Sequence, residues 1–185
     1  MNAYEMRDIG EMKWFLQIRI VRDRNLRKLW LCQDSYIQKI VSRFHLENSI
    51  AKTPMATEPL LKYTGQASVF EIRSYQEKVG SCNYDAVITR PDIAYTTQKL
   101  SKHLLNPGPQ HQKAVDRCLA YLNTTKTLAL KYGGSPDSKP ALKGATDFPP
   151  EYDFIGYSDA SHGDDIYTKR STQRHKVELF GGIND

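Results

Sequence analysis

The spacing of apolar residues changes period twice along this chain, and these changes limit the folds it can adopt. Residues 13–33 show the two-residue alternation of strands around a turn-forming Asp-Arg-Asn segment, which predicts a β-hairpin. From residue 34 to about 123 the apolar positions recur every three or four residues, which predicts amphipathic helices. Residues 127–132 and 152–159 again resemble strands, with 176–180 as a candidate antiparallel partner. The sequence therefore predicts an α+β protein with a helical body.

Turn-forming and capping residues divide the helical stretch into separate helices. Their predicted starts are Asp34 or Ser35 as N-cap, the neighbourhood of Glu71, Asp92 as N-cap, and the neighbourhood of Gln110. Residues 49–70 contain two prolines and a glycine with few periodic apolar positions, which predicts a loop. A linker rich in Pro, Lys, Asp and Ser is predicted from Gly134 to about Pro150.

Composition excludes several classes of protein. The 185 residues are 39% hydrophobic and 25% charged, which is typical of a folded body. No apolar run approaches the roughly 18 residues of a membrane span, and Met1–Glu5 has no signal-peptide character. Cys32, Cys82 and Cys118 are odd in number and far apart, so neither a disulfide framework nor a zinc site is expected. We expect an intracellular protein, cytoplasmic or nuclear, with no membrane partner.

Charge is distributed unevenly along the chain. Residues 1–135 carry 20 Lys or Arg against 12 Asp or Glu, whereas residues 136–185 carry 6 against 9. A basic body is compatible with a polyanionic partner, because Lys and Arg displace the counterions of phosphates. It is equally compatible with a solvated surface, and charge alone leaves both interpretations open.

Seven short segments match known sequence patterns in a fixed order. Residues 6–20 resemble the pattern M-K-D-L-G-x-L-K-x-F-L-G-I-x-I, and 31–37 resemble L-x-Q-x-x-Y-I. The remaining matches are 53–55 (T-P-M), 75–81 (Y-R-x-x-V-G-S), 89–95 (T-R-P-D-I-x-Y), 157–160 (Y-S-D-A) and 169–172 (R-K-S-T). Each pattern is weak alone, but in this colinear order they specifically resemble the polymerase polyprotein of Ty1/copia-type retrotransposons.

The resemblance implies a division of the chain into four parts. Residues 1–33 are then the end of the palm with the primer-grip hairpin, and 34–105 a thumb-like helical domain. Residues 106–150 are the connection and linker, and 151–185 the start of a truncated ribonuclease H-like unit. The implied fold is an N-terminal hairpin, a helical body and the first strands of that unit.

The resemblance also implies a function and its limits. The family is an RNA-directed DNA polymerase that uses Mg²⁺, but its Y-V-D-D motif does not occur in this sequence. We therefore expect a primer-template-holding fragment without its own cofactor or small-molecule substrate. Its partners would be an RNA–DNA or DNA duplex, bound weakly and without sequence preference, and the remainder of the polyprotein.

Departures from the family pattern keep an alternative open. They occur at Gln17, usually Gly, at Asp85, usually apolar, and at 161–162 and 173–175. A degenerate relic, or a domesticated interaction module with no nucleic-acid function, is the alternative interpretation. An autonomous nuclease would need carboxylates that the chain lacks.

Candidate nucleic-acid contacts fall first on the predicted hairpin. Trp14, Phe15 and Leu16 are expected in the sheet core, and the resemblance adds a primer-grip role. The basic residues on and beside the turn are Arg19, Arg22, Arg24, Arg27 and Lys28. They are interpreted either as a solvated face that discourages edge pairing or as phosphate contacts.

The predicted thumb supplies a second set. Lys78, Arg90 and Lys99 are candidates for tracking a duplex backbone. Gly80 would permit close approach of another helix or of a minor groove, and helix packing is the simpler interpretation.

Asp159 is the candidate catalytic residue. The resemblance places it where the first strand of a ribonuclease H domain carries a metal ligand, in an incomplete site. Asp153, Asp164 and Asp165 lie nearby in sequence, but the resemblance gives them no ligand role. The five histidines are dispersed without metal-ligand spacing.

Overall fold

The computed structural model describes residues 10–133, 154–163, 169 and 171–179. These residues divide into two compact units. The first contains the described residues up to Val21 and those from Trp30 to Leu130; the second contains Arg22–Leu29 and those from Lys131 onward. No helix in these ranges combines the length and the apolar content that a membrane crossing requires.

A four-stranded sheet has the order β1-β2-β3-β4. Its strands are β1 (Trp14–Phe15), β2 (Ile18–Asp23), β3 (Lys28–Cys32) and β4 (Leu130–Tyr132). The β2–β3 hairpin confirms the predicted hairpin around the Asp-Arg-Asn turn. The first predicted strand was wrong in extent, because the chain reverses between Phe15 and Ile18 and β1 is a separate strand. The predicted strand at 127–132 was too long, because the Leu128 amide donates to the Thr125 carbonyl at 3.0 Å in a turn that follows the preceding helix.

Four α-helices in the described part of the chain confirm the helical body. They are α1 (Asp34–Arg43), α2 (Val69–Ile88), α3 (Ala94–Ser101) and α4 (Pro109–Thr124), with a 3₁₀ turn at Pro91–Ile93 before α3. Their apolar faces form one core that includes Ile37, Tyr75, Val79, Leu100 and Leu119. Cys82 and Cys118 are buried in this core, and all three cysteines are free.

Two predicted helix caps were wrong. The N-cap of α1 is Gln33, with no side-chain capping bond, because the Asp34 carboxylate is engaged by Arg19. The N-cap of α3 is Ile93, because the Asp92 carboxylate accepts from the Arg90 guanidinium instead. Helix α2 begins with a capping box that was not predicted from the sequence.

That box fixes where α2 begins. The Ser68 hydroxyl accepts from the Glu71 amide at 3.3 Å, and the Glu71 carboxylate accepts from the Ser68 amide at 2.8 Å. Hydrogen bonds from the Ser68 hydroxyl, at 2.7 Å, and from the Ser68 amide to the Glu71 carboxylate hold the pKa of Glu71 below its ordinary value. The start of α2 therefore agrees with the prediction to within two residues.

The loop before α2 is attached to the helical body by side-chain hydrogen bonds. The Asn106 amide accepts from the Ala67 amide and donates to the Gly65 carbonyl, both at 2.9 Å. The Arg117 guanidinium donates to the Thr53 hydroxyl at 2.8 Å. Residues 49–68 therefore form a loop, as predicted, whose path is set by α4 and by the segment before it.

The second unit contains an antiparallel hairpin of β5 (Phe154–Ala160) and β6 (Gln173–Leu179), in register from Phe154↔Leu179 to Ala160↔Gln173. This confirms the predicted pairing, with β6 starting three residues earlier than expected. The α+β class is thus confirmed. The ribonuclease H-like assignment, the connection and the proposed domain boundaries remain predictions.

Candidate nucleic-acid interface

The tight turn between β1 and β2 lies at the surface. Trp14 pairs with Arg19 and Phe15 with Ile18, which leaves Leu16 and Gln17 as a two-residue turn. Both turn residues have positive φ, 47° and 67°, as a type I′ turn requires. The prediction of a core role was wrong, since Trp14, Phe15 and Leu16 are 51%, 53% and 67% exposed.

A side chain from α2 holds this turn. The Tyr84 hydroxyl donates to the Leu16 carbonyl oxygen at 2.7 Å. Tyr36 of α1 packs edge-on against the Tyr84 ring, with centroids 5.0 Å apart, and burial raises the pKa of Tyr36. Tyr84 has no signal in the sequence, because its partner Leu16 lies on a distant element. Tyr36 belongs to the family pattern at residues 31–37, but that pattern does not reveal its contact with Tyr84.

Arg19 belongs to a pair within the first unit. Its guanidinium approaches both oxygens of the Asp34 carboxylate, at 2.7 and 3.3 Å. The hydrogen bond to Asp34 raises the pKa of Arg19. This pair joins the start of α1 to β2, so the side chain of Arg19 is committed to a structural contact.

The tip of the β2–β3 hairpin, residues 22–28, carries the other predicted cations of this region. Arg22 and Arg24 are exposed, and Lys28 is half-buried. The Asp23 carboxylate accepts from the Leu26 amide at 2.9 Å and so orders the turn. The hairpin tip is therefore an ordered basic surface.

Arg90 lies in the interior, 1% exposed. Its guanidinium makes two hydrogen bonds to Asp92, at 2.7 and 2.9 Å, and donates to the Thr125 hydroxyl and carbonyl at 2.7 and 3.2 Å. Burial disfavours its charge, but the Asp92 hydrogen bond and charge hold its pKa above the ordinary value. The Tyr121 hydroxyl completes the cluster by donating to the Asp92 carboxylate at 2.8 Å. Arg90 cannot reach a surface ligand from this position.

The other two predicted thumb cations also have protein partners. The Lys78 ammonium lies 2.6 Å from a carboxylate oxygen of Asp116, with a side chain that is 13% exposed. The Lys99 ammonium lies 5.4 Å from the centroid of the Tyr95 ring. Lys78 therefore ties α2 to α4, and Lys99 is half-buried on α3.

Gly80 is open to solvent in the middle of α2. A Cβ built on Gly80 would meet no atom within 4 Å, so the prediction that Gly80 serves helix packing was wrong. The exposed positions spaced three and four residues apart along α2 are Val69, Arg73, Gln76, Gly80, Asn83 and Val87, here called the outward face of α2. This face carries no carboxylate. The neighbouring Glu77 is paired with Arg43 at 2.8 Å and with Arg73 at 3.5 Å.

Asp159 lies exposed on β5, opposite Arg174 in the β5–β6 register. Among the described residues, no group of three or more His, Cys, Asp or Glu side chains could hold a metal ion. Asp153, Asp164 and Asp165 fall outside those residues. The described side chains therefore do not fit the Mg²⁺ site that the family implies.

Asp85 is a buried carboxyl group between α1 and the Arg90 cluster. It is fully buried, and neither of its oxygens has a hydrogen-bond partner. Burial raises its pKa to about 8, against the opposing charge of Arg90. Gln33 nearby is also buried and accepts from the Thr89 hydroxyl at 2.7 Å, while its amide nitrogen has no partner.

Comparison with known proteins identifies the relatives of this chain. It is 34% identical over 188 residues to the retrovirus-related Pol polyprotein from transposon TNT 1-94 of Nicotiana tabacum, a match that covers 98% of this chain and 13% of that protein. It is 32% identical over 163 residues to the putative transposon Ty5-1 protein of Saccharomyces cerevisiae, covering 88% and 48%. It is 33% identical over 108 residues to the secreted RxLR effector protein 161 of Plasmopara viticola, covering 58% and 66%.

The chain thus spans less than two thirds of these relatives' own length. No family model matches it, and no solved structure matches it. The motif resemblance is nevertheless confirmed, since the match to the tobacco polyprotein runs through nearly the whole chain. This chain is a relative of the Pol polyproteins of Ty1/copia-type retrotransposons and corresponds to a region of them.

Proposed function

We propose that this chain is the part of a copia-type reverse transcriptase that holds the primer–template duplex, and that it has no polymerase active site of its own. The observation that carries the proposal is the outward face of α2. A glycine in the middle of a helix costs stability relative to alanine, and Gly80 has no packing neighbour that would account for it. Close approach of an external partner is the remaining use for a residue without a Cβ.

The chemistry of that face suits a nucleic-acid backbone. Its own positions carry no carboxylate, and the Asn83 amide offers hydrogen bonds one helical turn from Gly80. Arg73 is 81% exposed, and together with Arg43 it neutralises the neighbouring Glu77. The Gln76 amide nitrogen already donates to the Leu104 carbonyl at 3.1 Å, which leaves its oxygen as an acceptor. A duplex groove could therefore approach the helix at Gly80 without meeting a repelling charge.

The hairpin tip is a second, separate contact for phosphates. Arg22 and Arg24 are exposed on an ordered turn, and Lys28 is half-buried beside them. Contacts of this kind give binding that is independent of sequence and sensitive to salt. Arg19, Lys78 and Arg90 are not included, because Arg90 is buried and the other two join separate elements of the fold.

Fluorescence anisotropy with a labelled RNA–DNA hybrid tests the proposal. We expect weak binding that falls steeply between about 50 and 200 mM salt. Reversal of Arg22, Arg24 and Lys28 to Glu should abolish it. The matched control reverses Lys39, Lys52 and Lys113, exposed lysines elsewhere, by the same total charge and should retain most of the affinity.

Gly80→Ala gives a sharper test of the α2 face. Because the added methyl meets open space, helix propensity should stabilise the fold by about 0.5–1 kcal/mol, while hybrid affinity should fall. Greater stability together with weaker binding separates a binding role from a folding role. Unchanged affinity for the hybrid would remove α2 from the interface.

We also propose that the chain alone is inactive. It should neither extend a primed template nor cleave an RNA–DNA hybrid in Mg²⁺ or Mn²⁺. Millimolar Mg²⁺ should leave its thermal midpoint unchanged, since only a ligand of the folded state shifts that equilibrium. Hybrid cleavage that disappears in Asp159→Asn would show that a metal site is completed after all.

A domesticated interaction module is the second candidate. Val69, Phe70 and Leu105 are 83%, 82% and 86% exposed, as residues of a protein-binding surface often are. The similarity to an effector protein of Plasmopara viticola favours the same interpretation. A folded chain that fails to bind the hybrid at about 50 mM salt would support this candidate over duplex holding. In either case we propose an intracellular location.

A further inference from the structure

The turn between β1 and β2 has a backbone that its own residues do not favour. Leu16 and Gln17 both adopt positive φ, at 47° and 67°, and neither is glycine. Side chains with a Cβ are strained there, so surrounding contacts must hold the conformation. The Tyr84 hydroxyl supplies such a contact by donating to the Leu16 carbonyl at 2.7 Å, across 68 residues of sequence.

The position of Tyr84 is itself restrained. Its ring packs against the Tyr36 ring at 71° between the planes, with centroids 5.0 Å apart. Tyr36 belongs to α1 and Tyr84 to α2, whose side chains share the buried core. The hydroxyl of Tyr84 is therefore presented from a packed part of the molecule.

Tyr84 also follows Gly80 by four residues on α2. Residues four apart lie one above the other on the same side of a helix. The Leu16 carbonyl is therefore bonded to the side chain of a residue that lies one helical turn from Gly80 on α2. Two segments that were predicted separately as nucleic-acid contacts are brought together through one hydroxyl.

We propose that Tyr84 is a positioning residue that fixes the Leu16–Gln17 turn beside the outward face of α2. The spacing between these two contacts is then set before the duplex arrives. This inference rests on the proposed function, because it assigns to Tyr84 the geometry of that interface. Tyr84 itself need not touch the nucleic acid.

Tyr84→Phe tests the proposal while keeping the ring against Tyr36. We expect faster amide exchange at residues 15–18 and an affinity for the RNA–DNA hybrid lowered about three- to tenfold, the effect of one lost hydrogen bond. Tyr121→Phe is the matched control. It removes a hydroxyl that donates to Asp92 at 2.8 Å, and it should leave both readouts unchanged. All variants are compared at a temperature where circular dichroism shows them folded.

The decisive experiment adds Gln17→Gly to the Tyr84→Phe variant. Glycine accepts positive φ without strain, so it should restore the slow exchange at residues 15–18 and most of the affinity. A role of Tyr84 in global stability alone would not predict this local rescue. Unchanged exchange in Tyr84→Phe, or a loosened turn with unchanged hybrid affinity, would overturn the proposal. A wild-type chain that does not bind the hybrid would instead overturn the proposed function.

Discussion

Residues of the family motifs have opposite environments in two regions of the molecule. One region is the Arg90 cluster, and the other is the surface that joins the β1–β2 turn to Gly80. Around Arg90, every contact is internal, and the guanidinium bonds Asp92 and Thr125 in a buried setting. At the turn and at Gly80, apolar side chains and a helical glycine are exposed instead. A motif shared with a family therefore does not reveal whether a residue serves the fold or a partner. The contacts of the side chain in the structure distinguish the two roles.

Removing Arg90 should have the largest effect on stability. Arg90→Ala leaves the Asp92 carboxylate without its ion-pair partner, so we expect a loss of about 3–5 kcal/mol in the free energy of unfolding. Urea titration followed by circular dichroism measures this loss. Arg22→Ala is the control, and a change within about 0.5 kcal/mol is expected there. Equal effects of the two variants would show that the cluster is not the structural element described here.

The next largest effect is expected at Asp85, as a dependence of the free energy of unfolding on pH. Its pKa is raised from 3.8 to about 8 by burial, with Arg90 opposing and Asp92 reinforcing the shift. The folded state holds this proton more tightly than the unfolded chain does. Its contribution to stability is therefore complete below the ordinary pKa and is lost as pH rises toward about 8.

Asp85→Asn isolates this contribution, because the amide has nearly the same shape and does not titrate. At pH 8 the variant should be more stable than wild type, because the wild-type carboxyl group ionises in a buried site whereas the amide stays neutral. This advantage should shrink as pH falls and the carboxyl group is protonated in both the folded and the unfolded chain. Wild type and variant are compared because a second buried group also makes stability depend on pH. Burial lowers the pKa of His111, so its contribution to stability rises with pH over part of this range, opposite to that of Asp85. Parallel pH profiles for the two proteins would contradict the assignment.

A pair of glycine variants extends the comparison to backbone positions. A Cβ at Gly108 would lie 2.6 Å from Cγ and Cδ2 of Tyr63, near the base of that side chain, where rotation gives little relief. Gly108→Ala should destabilise the protein by about 1–3 kcal/mol. Gly80→Ala is the control with open space around it, and its midpoint in thermal melting should move in the opposite direction.

Gln17→Gly should give the smallest change. Relief of the left-handed backbone at φ 67° is expected to stabilise the protein by about 1 kcal/mol. Chemical denaturation measures it. Gln38→Gly, at an exposed position inside α1, should show the opposite sign, since glycine weakens a helix interior. Loss of stability at both positions would contradict the turn geometry.

Periodicity was sufficient to predict the β2–β3 and β5–β6 hairpins, the helices and the class of the fold. The helical spacing of Ile37, Tyr75 and Val79 reflects burial of one face, which the chain encodes locally. Motif order was sufficient to predict the relatives. These features need no knowledge of which elements meet.

Partner choice was the part that sequence did not reveal. Asp34 and Asp92 have the chemistry of N-caps, but neither caps its helix. Asp34 pairs with Arg19 and accepts from the adjacent Ser35 amide, while Asp92 pairs with the buried Arg90. The Tyr84–Leu16 bond depends on a contact 68 residues away. The exposure of Gly80 likewise depends on where other helices do not pack.

The position of β4 in the sheet has a consequence for the order of folding. Strand β4 lies next to β3, yet the Cys32 thiol and the Leu128 carbonyl that meet at this edge, 3.6 Å apart, are 96 residues apart in sequence. Helices form from local contacts and can appear early, whereas a pairing over such a distance forms late. During synthesis the edge of β3 stays uncovered until residues 130–132 have left the ribosome. In that interval the nascent chain offers an unpaired strand edge for intermolecular pairing and aggregation.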